Sequence, residues 1–122
     1  MMSKFKEFEE IKAWQLARKL ASSIYLLKND RYSKDFGFKD QMQRSAVSVM
    51  ANIAEGFERF SNKEFAQFLN IAKGSAGELR SHLYVAVDKG YITEQEFDKL
   101  KESCETVSKH IWKLMKYIRA LK

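Results

Sequence analysis

The chain has 122 residues, 45% hydrophobic and 31% charged, with no proline and five glycines, which fits one domain over 1–122 and argues against a turn-rich β-protein. Lys and Arg outnumber Asp and Glu by 22 to 16, a net charge of +6 that suits a polyanionic partner or simply a soluble surface. No apolar run approaches the roughly 20 residues of a membrane span, and MMSKFKEFEEIK lacks a signal peptide's apolar stretch, so the expected location is cytoplasmic, away from membranes.

The first helix is expected from about Lys6 to Leu27. Phe8, Ile11, Ala17, Leu20, Ile24 and Leu27 form its apolar stripe, widened by Trp14, Leu16, Ala21 and Tyr25; that width predicts contacts on more than one side. Lys28 to Phe38 is the longest break, with turn character at Asn29, Asp30, Ser33 and Gly37. A short helical turn fits inside it, and Phe36 and Phe38 are expected to tuck back onto the core.

The second helix is expected from about Lys39 to Glu58. Met42, Ala46, Val49, Ile53 and Phe57 recur at helical spacing. Ser45, Ser48, Ala51, Asn52 and Ala54 lie between them; the small residues allow close approach, and the polar ones need partners where they are buried. Gly56 weakens the helix end. Ser61 then fits an N-cap, Glu64 the reciprocal capping-box position, and Phe60 with Phe65 the hydrophobic-staple positions.

The third helix is expected to reach about Lys89 on the stripe Phe65, Phe68, Ala72, Ser75, Leu79, Leu83 and Ala86, with Leu69, Ala76 and Val87 beside it. Gly74-Ser75-Ala76-Gly77 lies inside it, and each glycine costs about 1 kcal/mol there relative to alanine. A loop is the alternative. The register carries through without a phase change, so a continuous helix is expected, with the glycines marking a close helix crossing. Gly90 fits the residue just past the helix end.

The fourth helix opens on a second capping box, Thr93 to Glu96, flanked by Ile92 and Phe97. Phe97, Leu100, Cys104, Val107, Ile111, Leu114, Ile118 and Leu121 repeat without a slip, which predicts a long, nearly straight helix in left-handed packing. Cys104 on this face reads as a small core residue rather than a reactive thiol. The expected fold is all-α, a single-domain antiparallel up-down four-helix bundle.

Little points to catalysis. His82 and His110 are the only histidines, neither has a metal-binding spacing, and Gly74 and Gly77 do not form a phosphate loop. The expectation is a non-enzyme without metal or cofactor. Charge is more informative: after Glu105 there is no acidic residue, while Lys109, Lys113, Lys116, Arg119 and Lys122 follow. A helix C-terminus favours cations in its last turn, but that does not require the whole final half. These five are the candidate nucleic-acid contacts, with Arg44 and Arg59 as secondary candidates.

A second basic set, Lys28, Arg31, Lys34 and Lys39, is interleaved with Tyr32, Phe36 and Phe38, which are read as stacking surfaces or core anchors. A third constellation is polar. Gln41, Arg44, Ser48, Asn52 and Glu55 follow one ridge, facing Ser75, Glu78 and His82. Arg44 is expected to pair with Glu78 or Glu55. Such a strip fixes helix register, or serves as a subunit interface or a nucleic-acid-facing surface.

The run SAVSVMANIAEGFERFSNKEFAQFLNIAKGSAGELRSHLYVA, followed by GYIT, resembles the hallmark of the four-helix-bundle proteins encoded by intervening sequences in bacterial 23S ribosomal RNA genes, the S23-like family. The resemblance extends to Trp14, Ile24-Tyr25 and Gly37 through Arg44. Its signature falls on Gln41, Arg44, Asn52, Glu55, Gly56, Arg59, Ser61, Glu64, Phe68, Ser75, Glu78 and Leu79. Met50 stands where the family commonly has proline, which predicts a straighter second helix, and the usual proline near Asn29 is absent. The resemblance implies a homopentameric ring. It also implies kinship with the accessory variability protein of diversity-generating retroelements, a basic pentamer that binds nucleic acid and a reverse transcriptase. The expected function is a homo-oligomer that binds structured RNA or DNA. The rival is a scaffold for a protein partner such as a polymerase.

Overall fold

The structure, a computed structural model, describes residues 4–121. A 3-10 turn at Phe8–Glu10 precedes five helices: α1 (Lys12–Tyr25), α2 (Asp30–Lys34), α3 (Phe36–Phe57), α4 (Asn62–Asp88) and α5 (Glu94–Ala120). No strand occurs among the described residues, so the fold is all-helical. Both α1 and α4 pack on α3 and on α5. One continuous core results, with Leu20, Ile24, Met42, Ile53, Phe65, Leu69, Leu79, Leu83, Ile111 and Ile118 among its buried members. Truncating one such side chain to alanine typically costs about 2–5 kcal/mol.

The α5 stripe is buried from Phe97 through Ile118, with Leu121 packed against its edge. Cys104 lies within it, and burial pushes its thiol pKa up to about 12. On α4 the buried arc is shifted toward the residues beside the expected stripe: Leu69 and Ala76 are fully covered while Phe68 and Ser75, expected on the stripe, are half-exposed. The reason is that α4 faces α3 and α5 together, so its apolar arc centres between the two. No helix among the described residues is long and apolar enough to cross a membrane.

Three helix ends differ from expectation. The first helix begins at Lys12 rather than near Lys6. The Glu7 backbone N–H donates to the Glu10 carboxylate at 3.1 Å, closing a tight turn, and Ile11 is extended and buried beneath it. The expected second helix, α3, begins at Phe36 rather than near Lys39 because the Asp35 side chain accepts from the Phe38 N–H at 3.3 Å. Phe38 packs near Tyr32, Tyr91 and His82, but Phe36 is 75% exposed. Helical positions two apart point to different faces, so only one phenylalanine reaches the core. At the α3–α4 corner Ser61 caps Glu64 N–H at 3.1 Å, yet no reciprocal bond from Glu64 is present among the described residues. The Phe60 staple is absent, since Phe60 is 96% exposed and Phe65 meets Phe57 instead, ring centres 6.0 Å apart.

The expected α2 turn forms, capped by Asn29. It is tied to the α4–α5 turn by two bonds: Arg31 donates to the Lys89 carbonyl at 2.7 Å, and the Tyr91 hydroxyl donates to Asp35 at 2.7 Å. Gly90 takes φ +72°, the left-handed conformation glycine adopts without strain. Thr93 and Glu96 complete both halves of their capping box, at 3.0 and 2.8 Å.

The glycines inside helices reverse the sequence reading. α4 is continuous through Gly74 and Gly77, as expected, but a Cβ at either would meet nothing within 4 Å. The close crossing is at Gly56, which is buried; there a Cβ would lie 2.7 Å from Phe68 Cβ and 3.2 Å from the Phe65 carbonyl oxygen.

Candidate functional site

Lys109, Lys113, Lys116 and Arg119 are all exposed on α5; Lys122 lies outside the described residues. The helix presents them because its other side is the apolar stripe, leaving steps of three and four residues for the outer face. Packing against α4 adds cations from another part of the chain. Lys73 and Arg80 of α4 line an open groove of about 510 Å³ with Glu105, Ser108, Lys109 and Trp112 of α5. Arg80 lies 3.4 Å from Glu105, both about half-exposed, and such a pair contributes only about 0–1 kcal/mol. Lys116 Nζ sits 5.8 Å from the centre of the Trp112 ring. Farther along the same seam, Arg119 and Leu121 face Asn62, Lys63 and Gln67 across a second hollow of about 460 Å³.

The two secondary candidates are elsewhere. Arg44 and Arg59 belong to the seam between α3 and α4. Arg59 is engaged twice, pairing with Glu55 at 3.1 Å and stacking 4.6 Å from the centre of the Phe68 ring. Arg44 does not pair with Glu78 or Glu55. Its nearest acid is Asp40, 3.9 Å away on the same helix, with both side chains largely exposed. Glu55 lies about three helical turns farther on and is held by Arg59.

The α3–α4 seam also collects most of the signature residues. Ser48 and Ser75 share a hydrogen bond of 2.8 Å between their hydroxyls. The Asn52 amide donates to the Ser48 carbonyl at 2.8 Å and to its hydroxyl at 3.0 Å. Gly56 permits the close approach below them, and Ser61 starts the next helix. Gln41, Arg44, Glu78 and His82 border a shallow polar hollow of about 440 Å³. These bonds hold Ser48, Ser75 and the Asn52 amide within the seam, as a register-fixing network should.

Among the described residues no cluster of three or more His, Cys, Asp or Glu side chains is arranged to hold a metal. Lys73, Arg80 and Trp112 were not singled out as site residues from sequence. A usable signal existed: 73, 77 and 80 share one helical face, and Trp112 lies just off an otherwise regular stripe.

Comparison with known proteins agrees with this architecture. No curated protein matches the chain. A crystal structure of a Bacteroides thetaiotaomicron protein of unknown function from the S23 ribosomal protein family superposes with a TM-score of 0.76 at 24% identity, covering 85% of this chain and 98% of that one. At that identity the likeness speaks for the fold. Residues 9–113 match the family described as 23S rRNA-intervening sequence protein, and the chain therefore belongs to that family.

Proposed function

We propose that the chain is a non-enzymatic, cytoplasmic, homo-oligomeric protein that binds structured nucleic acid, RNA in the first instance, through the basic surface of α5. Its four long helices form an antiparallel up-down bundle; the cyclic packing of α1, α3, α4 and α5 supports this reading. The observation that carries the binding function is the exposed series Lys109, Lys113, Lys116 and Arg119 on a helix half with no acidic residue. The family's name ties it to 23S ribosomal RNA genes, which favours RNA over DNA, and resemblance to the S23-like proteins favours a homopentamer.

Phosphate contacts of this kind make affinity fall steeply with salt. The test is size-exclusion chromatography with light scattering, with and without a structured ribosomal RNA fragment, at low and physiological salt. A mass of about five chains, shifting to a stable complex at physiological salt, is the expected result. Changing Lys109, Lys113, Lys116 and Arg119 together to Gln should weaken binding and flatten its salt dependence; an unchanged salt slope would remove α5 from the interface.

A second reading, a scaffold for a polymerase-like protein partner, draws on the exposed apolar side chains of α3 and α4: Val47, Ile71 and Val85. It is favoured if the oligomer ignores RNA at physiological salt.

A further inference from the structure

The α4–α5 groove holds more than charge. Trp112 is 45% exposed, and its indole lines the groove opposite Lys73 and Arg80. The α4 wall is bare where it matters: Gly77 lies on the same face as Lys73 and Arg80, one turn from each. An exposed glycine inside a helix costs about 1 kcal/mol relative to alanine, and no neighbour lies close enough to require one here. With no side chain there, the stretch of α4 between Lys73 and Arg80 adds no bulk to the groove that those two cations line with Trp112.

We infer that this groove takes an unpaired nucleotide. The base lies in the slot over Gly77 and against Trp112, and its phosphates lie among Lys73, Lys109 and Lys116. Arg80 is released to them from its weak pair with Glu105. A duplex hides the faces of its bases, whereas a loop or single strand offers them for stacking on an aromatic side chain. Cations alone would serve either form; the tryptophan and the slot select the unpaired one. This inference rests on the nucleic-acid reading above and specifies what that surface selects.

The test uses the full chain with Trp14→Phe, so that Trp112 is the only tryptophan. Its fluorescence is titrated with a single-stranded RNA, with the same sequence closed into a hairpin stem, with its DNA counterpart, and with an abasic strand of equal charge. The base-bearing single strand should quench Trp112 and bind most tightly. With both affinities measured by anisotropy of labelled nucleic acid, Trp112→Ala should weaken binding of the single strand about ten-fold and leave that of the stem unchanged. Trp112→Phe should recover part of the loss. Gly77→Leu, which fills the slot and removes no charge, should reproduce the Trp112→Ala loss. Tighter binding of the RNA than of the DNA strand assigns the site to RNA, and equal binding assigns it to unpaired nucleic acid generally.

Equal affinity for strand, stem and abasic strand, with Trp112→Ala and Gly77→Leu both silent, overturns the slot while the basic surface stands. No binding of any polyanion at physiological salt overturns both.

Discussion

The two sides of α4 differ in what they do with their polar groups. Toward α3, the seam is closed. Gly56 lets the backbones approach, Ser48, Ser75 and Asn52 bond to one another, and Arg59 is held by Glu55 and Phe68. Toward α5, the seam is open. Gly77 has no close neighbour, and Lys73, Lys109 and Trp112 border an unfilled groove. A glycine within a helix thus has opposite meanings on one helix pair and the next. In one place a side chain cannot be accommodated; in the other, nothing prevents one.

The sharpest way to break this contrast is Gly56→Ala. The added carbon meets Phe68 Cβ and the Phe65 carbonyl, so stability should fall by about 1–3 kcal/mol, the usual cost of overpacking. Urea midpoints measure this, and an unchanged midpoint would mean the α3 seam has slack. Gly77→Ala should do the reverse, raising stability by up to about 1 kcal/mol through helix propensity; a loss of stability would show that the slot is needed by the fold.

Ser75→Ala removes the hydroxyl that bonds to Ser48 but leaves Asn52 its carbonyl bond. A loss of roughly 0.5–1 kcal/mol is expected for a half-buried neutral bond, and its absence would mean the network contributes no stability.

The smallest effect tests a third region, the tie between α2 and the α4–α5 turn. The Tyr91 hydroxyl, which donates to Asp35, holds that carboxyl below its ordinary pKa of 3.8, helped by the Phe38 N–H and Lys89. The same bond, with burial, holds the Tyr91 phenol above 10.0. A lowered acid contributes stability that is present above its unfolded-state pKa and is lost as pH falls through the folded one. A raised phenol contributes below its unfolded-state pKa and loses that contribution as pH rises through the folded one. Tyr91→Phe should therefore flatten both limbs of a Tm-against-pH curve, leaving the middle shifted by a constant.

The helices were largely readable because periodicity reports which face is buried. The α5 stripe from Phe97 to Ile118 is the clearest case. Capping was readable where one side chain decides it, as at Ser61 and Thr93. What failed depends on what lies opposite. Gly56 and Gly77 look alike in sequence, and only the packed partner, Phe68 or open space, distinguishes them. Phe36 and Phe60 are apolar enough for a core, but their positions point outward. The candidate site was half legible for the same reason. The α5 cations form a run along the chain, whereas Lys73 and Arg80 join them only because α4 packs beside α5.

The Arg31–Lys89 bond joins residues 58 apart in sequence, and this affects how the molecule folds. Pairing α3 with α4, or α4 with α5, closes only a short connection, so those contacts form at little cost in chain entropy. The α2 tie needs both ends of a long loop in place before it can form. Loop-closure entropy therefore predicts that it forms late and opens early. Cutting it with Arg31→Ala should speed unfolding and leave the folding rate almost untouched. Amides of α2 should exchange with solvent by openings that leave the core of α4 and α5 protected.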